Sequence, residues 1–163
     1  MVRVAYILES FDFAGAEKSV FNIAKYLNKD KFIPIMISIE TGGDLEQEFD
    51  VHGIEHHVID TGGILSFKGM KKLYHALKKL EIDIIHTNTT KSHIQSRIIS
   101  IFLKNKIVIS SYRNSPKWLV SNDKRDILRK IIDKSTARFL NDILIFVSKG
   151  TLKYYLNNGY YHS

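Results

Sequence analysis

Apolar residues along the chain come in two textures that take turns. Short, nearly continuous β-branched runs occupy residues 3–8, 32–39, 55–59, 82–86, 106–111 and 143–147, and these predict strands. Continuous rather than alternating apolar runs are the pattern of parallel strands covered on both faces. Between them, apolar positions recur every three or four residues. Ala16, Val20, Ile23, Ala24 and Leu27 fall on one helical stripe, and Met70, Leu73, Tyr74, Leu77 and Leu80 on another. A third helix is predicted over 90–103. A fourth, over 123–139, is expected to turn Ile127, Leu128, Ile131 and Ile132 inward, and a short one follows over 149–157.

Helix starts carry their own marks. Asp44 with Gln47 three residues on resembles a capping box, opening a short helix that ends at Gly53. Ser66, Thr90 and Ser148 are the expected caps of three others. Strict β-α-β-α alternation with short connections predicts an α/β fold: a Rossmann-like, doubly wound parallel sheet flanked by helices and joined by right-handed crossovers.

Composition narrows the functional classes. The 163 residues suit one domain with a proper core. Cys is absent, which excludes disulfides and thiolate metal sites. The apolar run at the N-terminus is short for a signal peptide, and residues 98–103 fall far below the ~20 that a membrane span needs. A cytoplasmic domain is therefore expected. The formal net charge of +7 favours an anionic partner: nucleic acid, phospholipid headgroups or a phosphorylated substrate. No helix-turn-helix or aromatic RNA-binding pattern accompanies that charge, so nucleic acid is not expected as a partner.

In an open α/β sheet, ligands bind beyond the carboxyl ends of the strands. That rule nominates the loops at 10–16, 60–67, 87–93 and 111–118, where Ser10, Asp12, Thr87, Asn88, Thr89, Thr90, Lys91, His93, Arg113, Asn114 and Lys117 concentrate. The turn Ala14-Gly15-Ala16 opens a helix and lets backbone N–H groups approach a phosphate or sugar. On pattern alone the commoner reading of such a glycine is a structural turn using an unusual φ. It is not G-x-G-x-x-G, so a dinucleotide fingerprint is missing and a nucleotide-linked oxidoreductase is disfavoured. His86 ends the fourth strand and is suited either to a sugar hydroxyl or to holding its own loop. Arg113 and Lys117 are candidates to clamp a phosphate, and Trp118 to stack on a sugar ring or pack. His52, His56 and His57 match no metal spacing, and no metal is expected. Lys124, Arg125, Arg129, Lys130, Lys134 and Arg138 read as an outer helical face, either solvated or set against an anionic membrane at its inner surface. Serine-nucleophile elbows, paired catalytic carboxylates and phosphate-binding P-loops are missing from the sequence.

Four stretches together resemble the N-terminal domain of GT-B glycosyltransferases of family 4. Ala14-Gly15-Ala16-Glu17-Lys18 is similar to that family's Gly-Gly-Ala-Glu turn, and 22–27 to its first helix. Asp83-Ile84-Ile85-His86-Thr87-Asn88 resembles its strand end, Thr90-Lys91-Ser92-His93 its next helix start, and 145–150 its valine-serine strand end. The resemblance implies transfer of a sugar from a nucleotide-sugar donor to a saccharide or lipid-linked acceptor, without a metal or other cofactor. It implies that Gly15 and Ala16 approach the donor diphosphate, and that His86, Asn88, Thr89, Arg113 and Lys117 line the sugar or acceptor pocket. Ala14 replaces the first glycine. Asn88 replaces a common second histidine, and Asn cannot act as a charged acid.

The resemblance also implies that residues 1–163 are an acceptor-side domain, with the nucleotide-sugar domain and its pair of Glu seven residues apart lacking here. As an isolated half, the product of a truncated gene or one subunit of a split enzyme, the chain is expected not to transfer sugar alone. The rival expectation is a non-catalytic Rossmann-like module that docks an acidic partner or a catalytic chain.

Overall fold

The structure, a computed structural model, describes residues 1–160; His162, which is not a candidate site residue, lies outside them. Six strands alternate with helices: β1 (Val2–Leu8), α1 (Gly15–Tyr26), β2 (Phe32–Ser38), α2 (Leu45–Val51), β3 (Glu55–Val58), α3 (Phe67–Lys79), β4 (Ile84–Thr87), α4 (Thr90–Ser100), β5 (Ile107–Tyr112), a 3₁₀ turn (Lys117–Val120), α5 (Lys124–Phe139), β6 (Ile143–Phe146) and α6 (Lys149–Asn157). All strand pairs are parallel, in the order β3-β2-β1-β4-β5-β6. The chain thus winds outward from β1 in one direction and then from β4 in the other, and the crevice between those two strands is the switch point.

Period-two alternation along β1 builds both faces of the sheet. Val4, Tyr6 and Leu8 pack with Val20, Phe21 and Ala24 of α1 and with Leu45 and Phe49 of α2. Ala5 and Ile7 point the other way, against Leu73 and Leu77 of α3 and Ile99 of α4. In α1 the buried residues are Val20, Phe21 and Ala24; Ile23, expected on the inner stripe, is 41% exposed.

Helix ends depart from the sequence expectation in two places. Asp44 makes no side-chain cap; Glu46 instead reaches back to the Gly43 N–H at 3.0 Å, and the Leu45 N–H donates to the Phe11 carbonyl. The left-handed Gly53 (φ +61°) does end that helix. The cap of α4 is Thr89 rather than Thr90, in a reciprocal box with Ser92. Ser66 and Ser148 cap α3 and α6 as expected. In α3, Gly69 is required by close approach, because a Cβ there would collide with the backbone of Thr61.

The largest correction concerns α5. Its inward residues are Asp133 and Ala137, while Ile127, Leu128 and Ile131 are 44, 52 and 57% exposed. Arg97 of α4 sets this phase. Fully buried, it donates to Asp133 Oδ1 at 2.7 Å, to the Tyr112 hydroxyl at 3.0 Å and to Ser110 Oγ at 3.1 Å. Tyr160 donates to the second Asp133 oxygen at 2.7 Å. Burial draws the Asp133 carboxyl above the usual carboxylate range, and Arg97 with the tyrosine hydroxyls opposes that pull.

Breaking such a pair from one side leaves a buried charge without its partner. Arg97→Met should therefore lower stability by about 3–5 kcal/mol, and Arg97→Met combined with Asp133→Leu by clearly less than Asp133→Leu and Arg97→Met summed. Urea denaturation of the four species measures this; strict additivity would show that the two charges do not depend on each other.

Candidate functional site

The four loops nominated by the sheet rule do converge. They enclose a cleft of about 630 Å³ over the β1–β4 crevice. Its floor is made by the ends of β4 and β5 (Asn88, Thr89, Tyr112, Arg113) and by Lys91 and His93 from the first turn of α4. Ala16 and Glu17 of α1 form one wall, and Gly62, Gly63 and Ile64 form another. Trp118 and Arg129 close the far side, with the guanidinium 5.6 Å above the indole ring.

At the first wall, α1 begins without a cap. Ala14 occupies the N-cap position and offers no side-chain acceptor. Gly15 has an ordinary backbone conformation, and a Cβ built there would meet nothing within 4 Å. The unusual φ proposed for a structural glycine is therefore not its reason. Space and unanswered amides are what this position supplies.

Asn88 and Arg113 form a fixed pair rather than two free recognition groups. Arg113 Nε donates to Asn88 Oδ1 at 2.9 Å and Nη1 to Ser19 Oγ at 3.0 Å, while Asn88 Nδ2 donates to the His86 carbonyl at 3.1 Å. Partial burial draws Arg113 below its usual range, and Glu17 across the cleft counters this. Lys117 is exposed at the start of the 3₁₀ turn and is not among the residues lining the cleft, so the structure does not bring it to Arg113.

His86 lies beneath the cleft, not in it. Its Nε2 is 2.6 Å from Ser111 Oγ, and its ring packs at a tilt against Tyr6 with centroids 5.2 Å apart. Burial, then the charge of Arg113, lowers its pKa to about 4. His93 does line the cleft, and its pKa is held well below the ordinary value by burial and by Arg97, His86 and Arg113. Its Nδ1 lies 2.7 Å from the Thr87 hydroxyl, which also reaches the Ile109 carbonyl and Ser110 Oγ. Both rings are neutral at physiological pH.

Two acids of the cleft escaped the sequence reading, and a third, Glu17, was read only as part of the α1 turn. Glu9 follows directly on β1, Glu40 lies two residues beyond β2, and Glu17 sits in the first turn of α1. Position just after a strand was the available signal for Glu9 and Glu40. Lys91, only 8% exposed, pairs with Glu40 at 2.8 Å. The cleft thus carries Lys91, Arg113 and Arg129 against Glu9, Glu17 and Glu40. No group of three or more metal-ligating side chains occurs among the described residues, and none of their helices is long and apolar enough to cross a membrane.

Comparison with known proteins agrees with this architecture. The family model described as Glycosyltransferase Family 4 matches residues 13–162. The capsular polysaccharide biosynthesis glycosyltransferase CapH of Staphylococcus aureus is 23% identical over 148 residues, which are 91% of this chain and 41% of CapH. The tRNA modification GTPase MnmE of Mycoplasma genitalium is 27% identical over 140 residues, or 82% of this chain and 29% of MnmE. The chain has no Gly-x-x-x-x-Gly-Lys-Ser/Thr segment to support a GTPase likeness. Among solved structures, Anabaena HepE in complex with UDP and glucose superposes with a TM-score of 0.75 at 16% identity, over 98% of this chain and 41% of HepE. The chain therefore spans less than half the length of each of these proteins.

A histidine kept neutral by folding makes stability depend on acid. The unfolded chain protonates His86 near pH 6.5 and the native state only near 4, so stability is full above 6.5 and is lost as pH falls toward 4. From pH 7 to pH 5 this one group should remove about 2 kcal/mol. Urea midpoints at the two pH values, compared with those of His86→Gln, check it. A variant with the same acid slope would show that His86 is not the titrating group.

Proposed function

The chain belongs to glycosyltransferase family 4, and from that premise we propose that it is the acceptor-side half of a two-domain GT-B enzyme. In that enzyme the other half holds a nucleotide-sugar, and the sugar is transferred to an acceptor seated in this cleft. The observation that carries the reading is the start of α1: uncapped amides beside an unobstructed Gly15, at the switch-point crevice of the sheet. A donor diphosphate approaching there meets N–H groups and the positive end of a helix. That arrangement stabilises negative charge as it develops on the departing diphosphate, without reorganisation at the moment of reaction.

The rest of the cleft is suited to a neutral, hydroxylated acceptor segment. Its charges are balanced, and Lys91 and Arg113 are already engaged with Glu40, Asn88 and Ser19. Asn114 is placed to meet sugar hydroxyls, the Thr89 hydroxyl being engaged with Ser92 in the α4 cap, and the half-buried Trp118 offers a flat face to a ring. Asn88 acts here by positioning Arg113. Neutral His86 and His93 hold the floor rigid, and neither supplies a charged acid. The likeness to HepE, bound to UDP and glucose in its crystals, and to CapH, a capsular polysaccharide glycosyltransferase, supports a sugar nucleotide as donor and a saccharide chain or glycolipid as acceptor. Transfer then requires both halves.

Inorganic pyrophosphate is a probe of the proposed donor approach. It should bind this chain weakly, with a Kd of about 1 mM, and shift the amide resonances of Gly15, Ala16 and Glu17. Gly15→Val should abolish those shifts without moving the thermal midpoint. The chain alone should release no UDP from UDP-glucose. Amide shifts confined to other regions, or UDP release by the chain alone, would contradict the proposed division of labour.

A further inference from the structure

Lys91 and Glu40 join the first turn of α4 to the chain just beyond β2, and both line the cleft. Taking an ammonium as far out of water as that of Lys91 is costly unless its hydrogens are answered. Its three N–H groups find two acceptors among the described residues: Glu40 Oε1 at 2.8 Å and the Ile39 carbonyl at 3.5 Å. Glu40 is half exposed, and its second carboxylate oxygen has no donor among those residues. The pair therefore brings one unanswered N–H and one unanswered oxygen to the cleft.

The wall around this pair is rigid and bare. One turn further along the same side of α4, the buried Gln95 donates to the Gly63 carbonyl at 3.1 Å. The Ile39 carbonyl that faces Lys91 also accepts from the Thr61 amide and hydroxyl. Helix α4 thus ties the end of β2 and the loop after β3 into one surface. No side chain stands on that surface at Gly63, where a Cβ would meet nothing within 4 Å. Space is what this glycine provides.

An N–H beside a carboxylate oxygen fits a ligand that accepts and donates at neighbouring atoms, as vicinal hydroxyls do. A phosphate would meet Glu40 at like charge, and an ammonium would meet Lys91. We infer that Lys91 and Glu40 bind the hydroxyls of a sugar ring, as a second subsite of the acceptor cleft. The first, at Asn114 and Trp118, lies beyond β5, whereas Glu40 lies beyond β2. Three strand spacings separate those two strands, which sets the subsites about 14 Å apart. A single ring cannot span that distance, so the acceptor presents a chain of linked sugars and not one sugar alone. The inference rests on the sugar-transfer reading of the cleft and narrows its substrate class.

Heteronuclear NMR of the chain tests it, with maltotetraose, cellotetraose and chitotetraose titrated against glucose and N-acetylglucosamine. At least one tetrasaccharide should bind about tenfold more tightly than its monosaccharide, and should move the Gly63 amide and the Trp118 indole in one titration. Gly63→Val puts a side chain into the open space and should reduce that tetrasaccharide to the affinity of its monosaccharide, at an unchanged thermal midpoint. Lys91→Met with Glu40→Leu removes both charges together and should lose the same factor. A bridge that only held α4 in place would instead lower the thermal midpoint of the double variant and leave its tetrasaccharide preference intact. That result would overturn the inference, and so would the lack of any tetrasaccharide preference in the unmodified chain. Pyrophosphate added to the same samples separates this failure from a wider one. Shifts at Gly15 to Glu17, with no sugar moving Gly63, would remove the second subsite and leave the sugar-transfer reading standing.

Discussion

A guanidinium with no exposed surface has to be answered in place, and the answer given to Arg97 organises half of this molecule. Asp133, Tyr112, Ser110 and Asn141 come to it from α5, from β5 and from the approach to β6. Tyr160, near the end of the described chain, joins through Asp133. An ion pair buried this deeply contributes little net stability compared with well-packed apolar side chains, because both charges leave water. Its consequence is specificity of arrangement. Only one rotation of α5 about its axis brings Asp133 to Arg97.

That rotation explains why the apolar pattern of α5 misleads. Ile127, Leu128 and Ile131 read as an inner stripe because apolar residues normally face a core. With Asp133 and Ala137 fixed inward, helical periodicity carries the three apolar side chains to the outside. The helix is polar where it meets the domain and apolar where it meets its surroundings. A conflict between local pattern and global fold of this kind is characteristic of functional surfaces. The basic side chains around it give that surface its character.

The cleft follows a different economy of charge. Lys91 with Glu40, and Arg113 with Asn88, Ser19 and the nearby Glu17, bind the ends of β2, β4 and β5 to α1 and hold the loops in register. Beneath them, His86 and His93 are kept neutral by burial and by neighbouring cations, so the floor neither gains nor loses charge across physiological pH. Against this balanced background the unmet N–H groups at the start of α1 are the feature most responsive to an anion.

Local information set the framework. Each β-branched run became a strand within a residue or two, since a strand covered on both faces must be continuously apolar. The strand order placed the crevice where the loops at 10–16, 60–67, 87–93 and 111–118 meet, and the Gly15 turn was visible as a helix start. What the sequence could not specify were partnerships between distant residues. Arg113 meets Asn88 across 25 positions and Arg97 meets Asp133 across 36, and nothing in the spacing of either pair announces it. Thr89 rather than its neighbour Thr90 became the cap because the chain leaves β4 one residue later than the apolar run ends. Lys117 was turned away from the cleft by the 3₁₀ turn that brings Trp118 in. Hydrophobic periodicity is a property of neighbours along the chain and so could be read directly. The phase of α5 and the charge balance of the cleft depend on which side chains meet once the sheet has closed, and only the tertiary structure decided them.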